Sequence, residues 1–155
     1  MDNIKPLVSV IIPTYGRPNL LLRAINSVLN QSYSNIEIIV VDDNNPGSLE
    51  RDQTQKLLEK YIQENKIMYI KMDKNVGGAL ARNKGVEVCS GALICFLDDD
   101  DEYLPNKIEL QVNKFIESNF KLSVVGGYAN IFDNDGNLKR IEKNEVRGDV
   151  FKIQL

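Results

Sequence analysis

The stretch ICFLDDDDEYLP, Ile94 to Pro105, sets Asp98, Asp99, Asp100, Asp101 and Glu102 in unbroken succession after an apolar run. Two carboxylates about 4 Å apart repel by about 4 kcal/mol at an effective dielectric near 20. A strand end cannot spread such charges as a solvated loop does, so the arrangement calls for a cation. If strand geometry continues through the cluster, Asp98 and Asp100 point to one face and Asp99 to the other. A carboxylate pair of that kind suits a hard divalent ion, Mg2+ or Mn2+ rather than zinc. Mg2+ is usually held by one or two carboxylates together with substrate phosphates, so a phosphate-bearing substrate follows indirectly. The plain alternative is an acidic loop that holds no metal.

What else could do chemistry is narrow. The 155 residues include no histidine, which removes Ser-His-Asp catalysis, imidazole acid–base chemistry and most zinc sites. The two cysteines, Cys89 and Cys95, lack zinc spacing and read as reduced core thiols. Catalysis must rest on carboxylates, a bound metal or positioned donors.

The elements that carry these residues alternate. LVSVII (Leu7 to Ile12), IEIIVV (Ile36 to Val41), IMYIKM (Ile67 to Met72) and ALICFL (Ala92 to Leu97) are short, largely apolar runs rich in β-branched residues. They read as buried parallel strands. Between and after them, helices are expected over Pro18 to Asn30, Pro46 to Asn65, Gly77 to Cys89 and Pro105 to Ser118. LSVVGGYANIF (Leu122 to Phe132) reads as a fifth strand, and Asn134-Asp135-Gly136 as a hairpin turn leading back through Leu138 to Ile141. Alternating strands and helices imply an α/β fold with a mainly parallel sheet and right-handed crossovers.

In open α/β sheets ligands bind beyond the carboxyl ends of the strands. Thr14, Tyr15, Gly16 and Arg17 follow strand one there. Asp42, Asp43 and Asn44 follow strand two. Asp73, Asn75, Gly77 and Gly78 follow strand three, and the acidic cluster follows strand four. Four strands thus deliver polar groups to one edge.

VSVIIPTYGRPNLLLRAINSVLNQSYSNIEIIVVDD, NVGGALARNKG and GALICFLDDDDEYLPNKIE, in that order, resemble family 2 glycosyltransferases of the GT-A fold, over about Val8 to Glu109. The resemblance implies a Rossmann-like α/β/α sandwich that binds a nucleotide-diphosphate sugar and passes the sugar to an acceptor hydroxyl, with inversion and with Mn2+ or Mg2+. It puts Pro13 and Tyr15 at the nucleobase, Tyr15 over its face. It matches Asp43 to the acid that hydrogen-bonds the base, with Asp42 as its less direct neighbour. Arg82 and Asn83 match the segment flanking the nucleotide, and Arg17 and Gly77 are assigned to the nucleotide with them. Asp98, Asp99 and Asp100 form the DxD-like motif: Asp100 is the main metal ligand, Asp98 supports it, and Asp98 and Asp99 also face the nucleotide.

The chemistry of these types agrees. A carboxylate accepts the imide N–H of uracil, which favours a UDP-sugar and leaves thymidine and guanine nucleotides open. An aromatic face stacks on any base. Each residue also has a plain reading: Tyr15 as a loop tyrosine, Asp42 and Asp43 as capping acids, Arg82 in a surface ion pair, Gly77 in a tight turn.

An inverting transferase needs a general base. The resemblance puts it downstream, beyond Leu155, and Asp133, Asp135, Glu142, Glu145 and Asp149 do not match its context. The expectation is therefore one domain over residues 1–155, the donor-binding half of a glycosyltransferase truncated before its acceptor half. The catalytic base stays unassigned. As given, this chain is either part of such an enzyme or a nucleotide- and metal-binding module that does not catalyse.

Two other protein classes place acids after a strand. An aspartate-nucleophile phosphatase and a phospho-receiver domain both want them after the first strand, which here ends in PTYG. A net charge of -3 gives no electrostatic footprint for nucleic acid. The N-terminus lacks a signal peptide's basic start, so a cytoplasmic location is expected. The resemblance adds bacterial surface glycans or lipid-linked glycans as acceptors, and peripheral association with the inner membrane face.

Overall fold

The computed structural model describes residues 5–133 and 135–143. They fall in two compact units, Met1–Val112 and Asn113–Leu155. In the first unit, β1 (Val8–Thr14), β2 (Ile36–Asp42), β3 (Met68–Lys71) and β4 (Leu93–Phe96) form a sheet ordered β3-β2-β1-β4. Every pairing in it is parallel.

The apolar runs of β1 and β2 are continuous because helices cover both faces, whereas β3 and β4, expected as buried strands, are edge strands with Met68, Ile94 and Phe96 exposed. On one face Val8, Val10, Ile12, Ile38 and Val40 pack under Leu21, Ile25 and Val28 of α1 (Pro18–Leu29). Leu58 of α2 (Leu49–Gln63) and Ile108 and Val112 of α4 (Lys107–Glu117) complete that core. On the other face Ile11, Ile39 and Val41 meet Ala81 of α3 (Gly78–Val88). Gly85 lets α3 lie close to the sheet, since a Cβ there would run into the Ile11 side chain.

The helices begin where local chemistry allows. Pro18 opens α1, where its missing N–H costs nothing. The sequence expectation started α2 at Pro46, but Gly47 turns with φ +74° and Ser48 caps the helix by accepting from Arg51 N at 3.2 Å. Strand edges moved by one or two residues: β1 and β2 run on to Thr14 and Asp42, carrying these polar groups to the sheet's end.

The fifth strand is much shorter than expected. In the second unit β5 (Ala129–Phe132) pairs antiparallel with β6 (Leu138–Glu142) as a separate ribbon. Lys121 to Tyr128, with its glycine pair, forms no strand. The turn stands as expected: Asp133 accepts from Asp135 N at 3.0 Å and Asn137 N at 2.9 Å. Asn134, Glu145 and Asp149, also named above, lie outside the described residues.

Candidate functional site

Three strand ends and the entry to α3 wall one cleft. Pro13, Thr14, Tyr15 and Arg17 come from the end of β1, and Asp43 from β2. Gly78 and Arg82 come from α3, and Asp98 and Asp99 from the end of β4. Of the residues expected at the nucleotide, Asp42, Gly77 and Asn83 lie outside this wall, as does the expected metal ligand Asp100. A larger groove along α2 draws only on that helix, from Asp52 to Gln63. Groups from different elements do not converge there.

The acidic cluster finds cations within the chain. Past β4 the backbone leaves strand geometry and turns, Asp101 N donating to Asp98 O at 3.0 Å. The alternation nevertheless survives as exposure, with Asp99 buried between the exposed Asp98 and Asp100. Arg82 pairs with Asp98. Arg17 pairs with Asp100 and lies 2.6 Å from Asp99 Oδ1. That second approach is off the hydrogen-bonding direction, so Asp99 Oδ1 has an ion-pair partner but no hydrogen bond. Arg23 of α1 pairs with Glu102. Burial holds the Asp101 carboxyl above the usual carboxylate range, and the neighbouring Asp100 and Asp98 charges add to it.

Asp99 also fixes the Tyr15 loop. Its Oδ2 accepts from Thr14 Oγ1 at 2.7 Å and from Tyr15 N at 3.3 Å. Burial raises its pKa, opposed by the Thr14 hydrogen bond and by Arg17. Tyr15 itself stands exposed on the cleft wall, its ring open to a stacking partner.

The two acids after β2 have different tasks. Asp42 is fully buried. It accepts from Asn44 N and Asn44 Nδ2, both at 2.8 Å, and from the Tyr69 hydroxyl. Burial, and then that hydrogen bond to Asp42, push the Tyr69 phenol far above its ordinary pKa, so it remains a donor. Asp43 holds the entry to α3. Its carboxylate accepts from Asn75 Nδ2 at 2.9 Å, Val76 N at 2.8 Å and Gly77 N at 2.8 Å. Gly77, at φ +86°, then caps α3. Asn83 follows Arg82 on α3 and is exposed. Asn75 had been placed at the ligand edge without a role. Tyr69 and Arg51, which also touch this network, were missed, because neither carries a local signal.

Asp98 and Asp100 offer hard oxygen donors at the exposed rim of the cleft, and each engages an arginine through one carboxylate oxygen. Among the described residues no three acidic or thiol side chains converge into a ready cage. The donor set suits a cation that takes one or two carboxylates and completes its shell from a bound ligand.

The sequence pattern of Glycosyl transferase family 2 matches residues 9–153. The chain belongs to that family. This family 2 chain is 36% identical over 127 residues to the putative teichuronic acid biosynthesis glycosyltransferase TuaG of Bacillus subtilis, covering 81% of the chain and 48% of TuaG. S. aureus TarS 1-349 in complex with UDP superposes with a TM-score of 0.62 at 28% identity, covering 72% of this chain and 32% of that one. The mannosyltransferase PcManGT of Pyrobaculum calidifontis, in complex with GDP-Man and Mn2+, has a TM-score of 0.63 at 20% identity over 73% of this chain and 33% of its own. That last likeness shows the fold alone, which is the GT-A fold. The chain spans less than half the length of each of the three. Among the described residues no helix is long and apolar enough to cross a membrane.

Proposed function

We propose that this chain is the donor-binding part of a glycosyltransferase that uses a nucleotide-diphosphate sugar, with UDP as the favoured nucleotide. The observation that carries the reading is the convergence of Tyr15, Asp43, Arg82 and Asp98 on one cleft at the strand ends. UDP in the TarS complex supports it. Tyr15 covers the base. Asp43 and its neighbour Asp42 form the base-binding end, Asp42 from behind. Gly77 and Gly78 let the phosphates approach the α3 N-terminus, whose free amides favour an anion. Arg17, Arg82 and Asn83 flank the diphosphate, and Asp99 fixes the loop that carries Tyr15.

Asp98 and Asp100 are the residues that would hold Mg2+ or Mn2+, with Asp100 as the main ligand. A divalent cation, when bound, supplies charge neutralisation at the departing diphosphate. The chain's own contribution is to orient the donor and to offer Arg17 and Arg82 to the phosphate oxygens. The acceptor is a hydroxyl on a surface glycan or a lipid-linked glycan, transfer is inverting, and the protein works at the cytoplasmic face of the membrane. The role in polysaccharide synthesis draws on the name of TuaG.

Calorimetric titration with UDP, with and without Mn2+, beside GDP and CDP, tests the reading. Metal-dependent binding selective for UDP is expected. Ligand at 100 times its Kd should add about 2.7 kcal/mol of stability in a melting experiment. A folded chain that takes up none of the three nucleotides overturns it.

A further inference from the structure

Arg51 lies in the first turn of α2, outside the cleft, and nothing above assigns it a part in binding. It is almost fully buried. Its Nη2 donates to Met72 O at 2.8 Å, to Asp42 O at 3.2 Å and to Asn44 O. Its Nε lies 3.7 Å from Asp42 Oδ1. One guanidinium therefore ties the segment after β2 to the residue that follows β3. All three bonds leave Nη2 and Nε makes none, so the long guanidinium side chain sets one nitrogen among acceptors from two strand ends.

Stability alone is a poor reason for this arrangement. Burying an ion pair costs desolvation that the pairing rarely more than offsets, and apolar residues of equal volume often serve as well. What the guanidinium does supply is a fixed position for Asp42, Asp43 and Asn44. These residues pass that position on. Asn44 Oδ1 accepts from Gly16 N at 2.8 Å, which sets the Tyr15 loop. Asp43 accepts from Val76 N and Gly77 N, which sets the entry to α3. Both sides of the base-binding end thus lead back to one side chain.

We propose that Arg51 is a positioning residue for the nucleobase end of the donor site, acting through Asn44 on the Tyr15 loop and through Asp43 on the Gly77 turn. The proposal rests on the nucleotide-binding reading for its purpose, but the relay it describes is measurable without a nucleotide.

The experiment uses the full chain and its Arg51→Lys variant, with Asn44→Ala as a second variant that cuts one arm and leaves the guanidinium in place. Amide hydrogen exchange is followed at Gly16, Val76 and Gly77, with Ile11 and Ile39 as core references. In Arg51→Lys the three loop amides should exchange about tenfold faster while the core amides hold their rates. In Asn44→Ala only Gly16 should speed up. UMP and UDP should lose affinity by the same factor, about tenfold, in Arg51→Lys, while Mn2+ with pyrophosphate binds as before. A merely structural residue would speed core and loop amides together, or would lower melting without touching UMP; either result overturns the proposal, as does unchanged exchange at Gly16 in Asn44→Ala. If Arg51→Lys does not fold, the Asn44→Ala result decides. If the parent chain binds no uridine nucleotide while the loop amides respond as described, the nucleotide reading has failed and the relay stands.

Discussion

Arg17 Nη2 lies 2.6 Å from Asp99 Oδ1, and the same guanidinium pairs with Asp100 on its other side. One cation from the β1 loop is thus shared between two carboxylates beyond β4 and offsets only part of their charge. The repulsion built into the acidic run is met first by arginine, and a metal must share or displace that partner.

Arg17→Gln should therefore move two affinities in opposite directions. Exposed ion pairs are worth about 0–1 kcal/mol, so freeing Asp100 should tighten Mn2+ binding by up to about fivefold. UDP with Mn2+ should bind about tenfold more weakly, because a charge-assisted contact to phosphate is lost. Titration of the variant with Mn2+ alone and with UDP in saturating Mn2+ measures both. Parallel losses in the two titrations would refute the shared-partner account.

Thr14 donates to the buried Asp99 carboxylate at 2.7 Å. Thr14→Val keeps the shape and removes the donor. A buried acceptor left short of a partner costs about 1–3 kcal/mol, and more when it is charged. The urea midpoint should fall accordingly, and the Tyr15 loop should bind UDP less tightly. An unchanged midpoint would mean that Tyr15 N and Arg17 suffice for Asp99.

How much of this was legible in the sequence depends on the range of the contact. Ile11 and Ile39 announce themselves by composition, because a strand covered on both faces must be apolar throughout. Tyr15, Asp43 and Asp98 could be assigned to one edge by counting strands. Arg51 could not, since a lone arginine on a polar helix looks solvated until the fold sets it behind Asp42 and Met72. The arginine partner of Asp100 was hidden for the same reason: Arg17 and Asp100 are 83 residues apart. The length of β5 was misjudged because an apolar run says nothing of whether a neighbouring strand is there to pair with it.

Gly85 lets α3 pack tightly on β1, where an added Cβ would meet the Ile11 side chain. Gly85→Ala should destabilise by about 1–3 kcal/mol through overpacking, despite alanine's better helix propensity. Ile11→Ala in the same chain, which removes the γ carbons that the new Cβ would meet, should recover part of the loss. Urea denaturation of the two single variants and the double variant gives the coupling. Additive losses would show that the crowding is relieved elsewhere.

Lys107 Nζ sits 3.6 Å from the centre of the Tyr103 ring. Burial holds its pKa below the ordinary lysine value, against the opposing pull of Cys95. The folded chain then binds fewer protons than the unfolded one between that depressed value and about 10.4, so this residue makes stability rise with pH across that window. Lys107→Met should remove the rise and stabilise the chain at pH 7 by on the order of 1 kcal/mol, since methionine also packs on an aromatic ring. Urea midpoints at pH 7 and pH 10 compare the two chains. A methionine variant that is weaker at pH 7 would mean that the cation–ring contact outweighs the burial cost.

Asp43 joins β2 to the start of α3 through three donors: Asn75 Nδ2, Val76 N and Gly77 N. A carboxylate can accept all three, because it has acceptor sites on both oxygens and carries no proton. An amide in its place presents one oxygen and one NH2, and the NH2 would face a backbone N–H. Asp43→Asn should therefore release one side of the turn although its volume is unchanged. Exchange at Val76 or Gly77 should rise, and the α3 N-terminus should lose its alignment with the cleft. UDP affinity should drop by at least about tenfold, combining a misplaced helix end with the loss of the base's acceptor. Asp43→Ala should lose both parts together, since one carboxylate holds the turn and serves the base. If Asp43→Asn binds UDP as the parent does while Val76 and Gly77 keep their exchange rates, neither the turn nor the base depends on this charge.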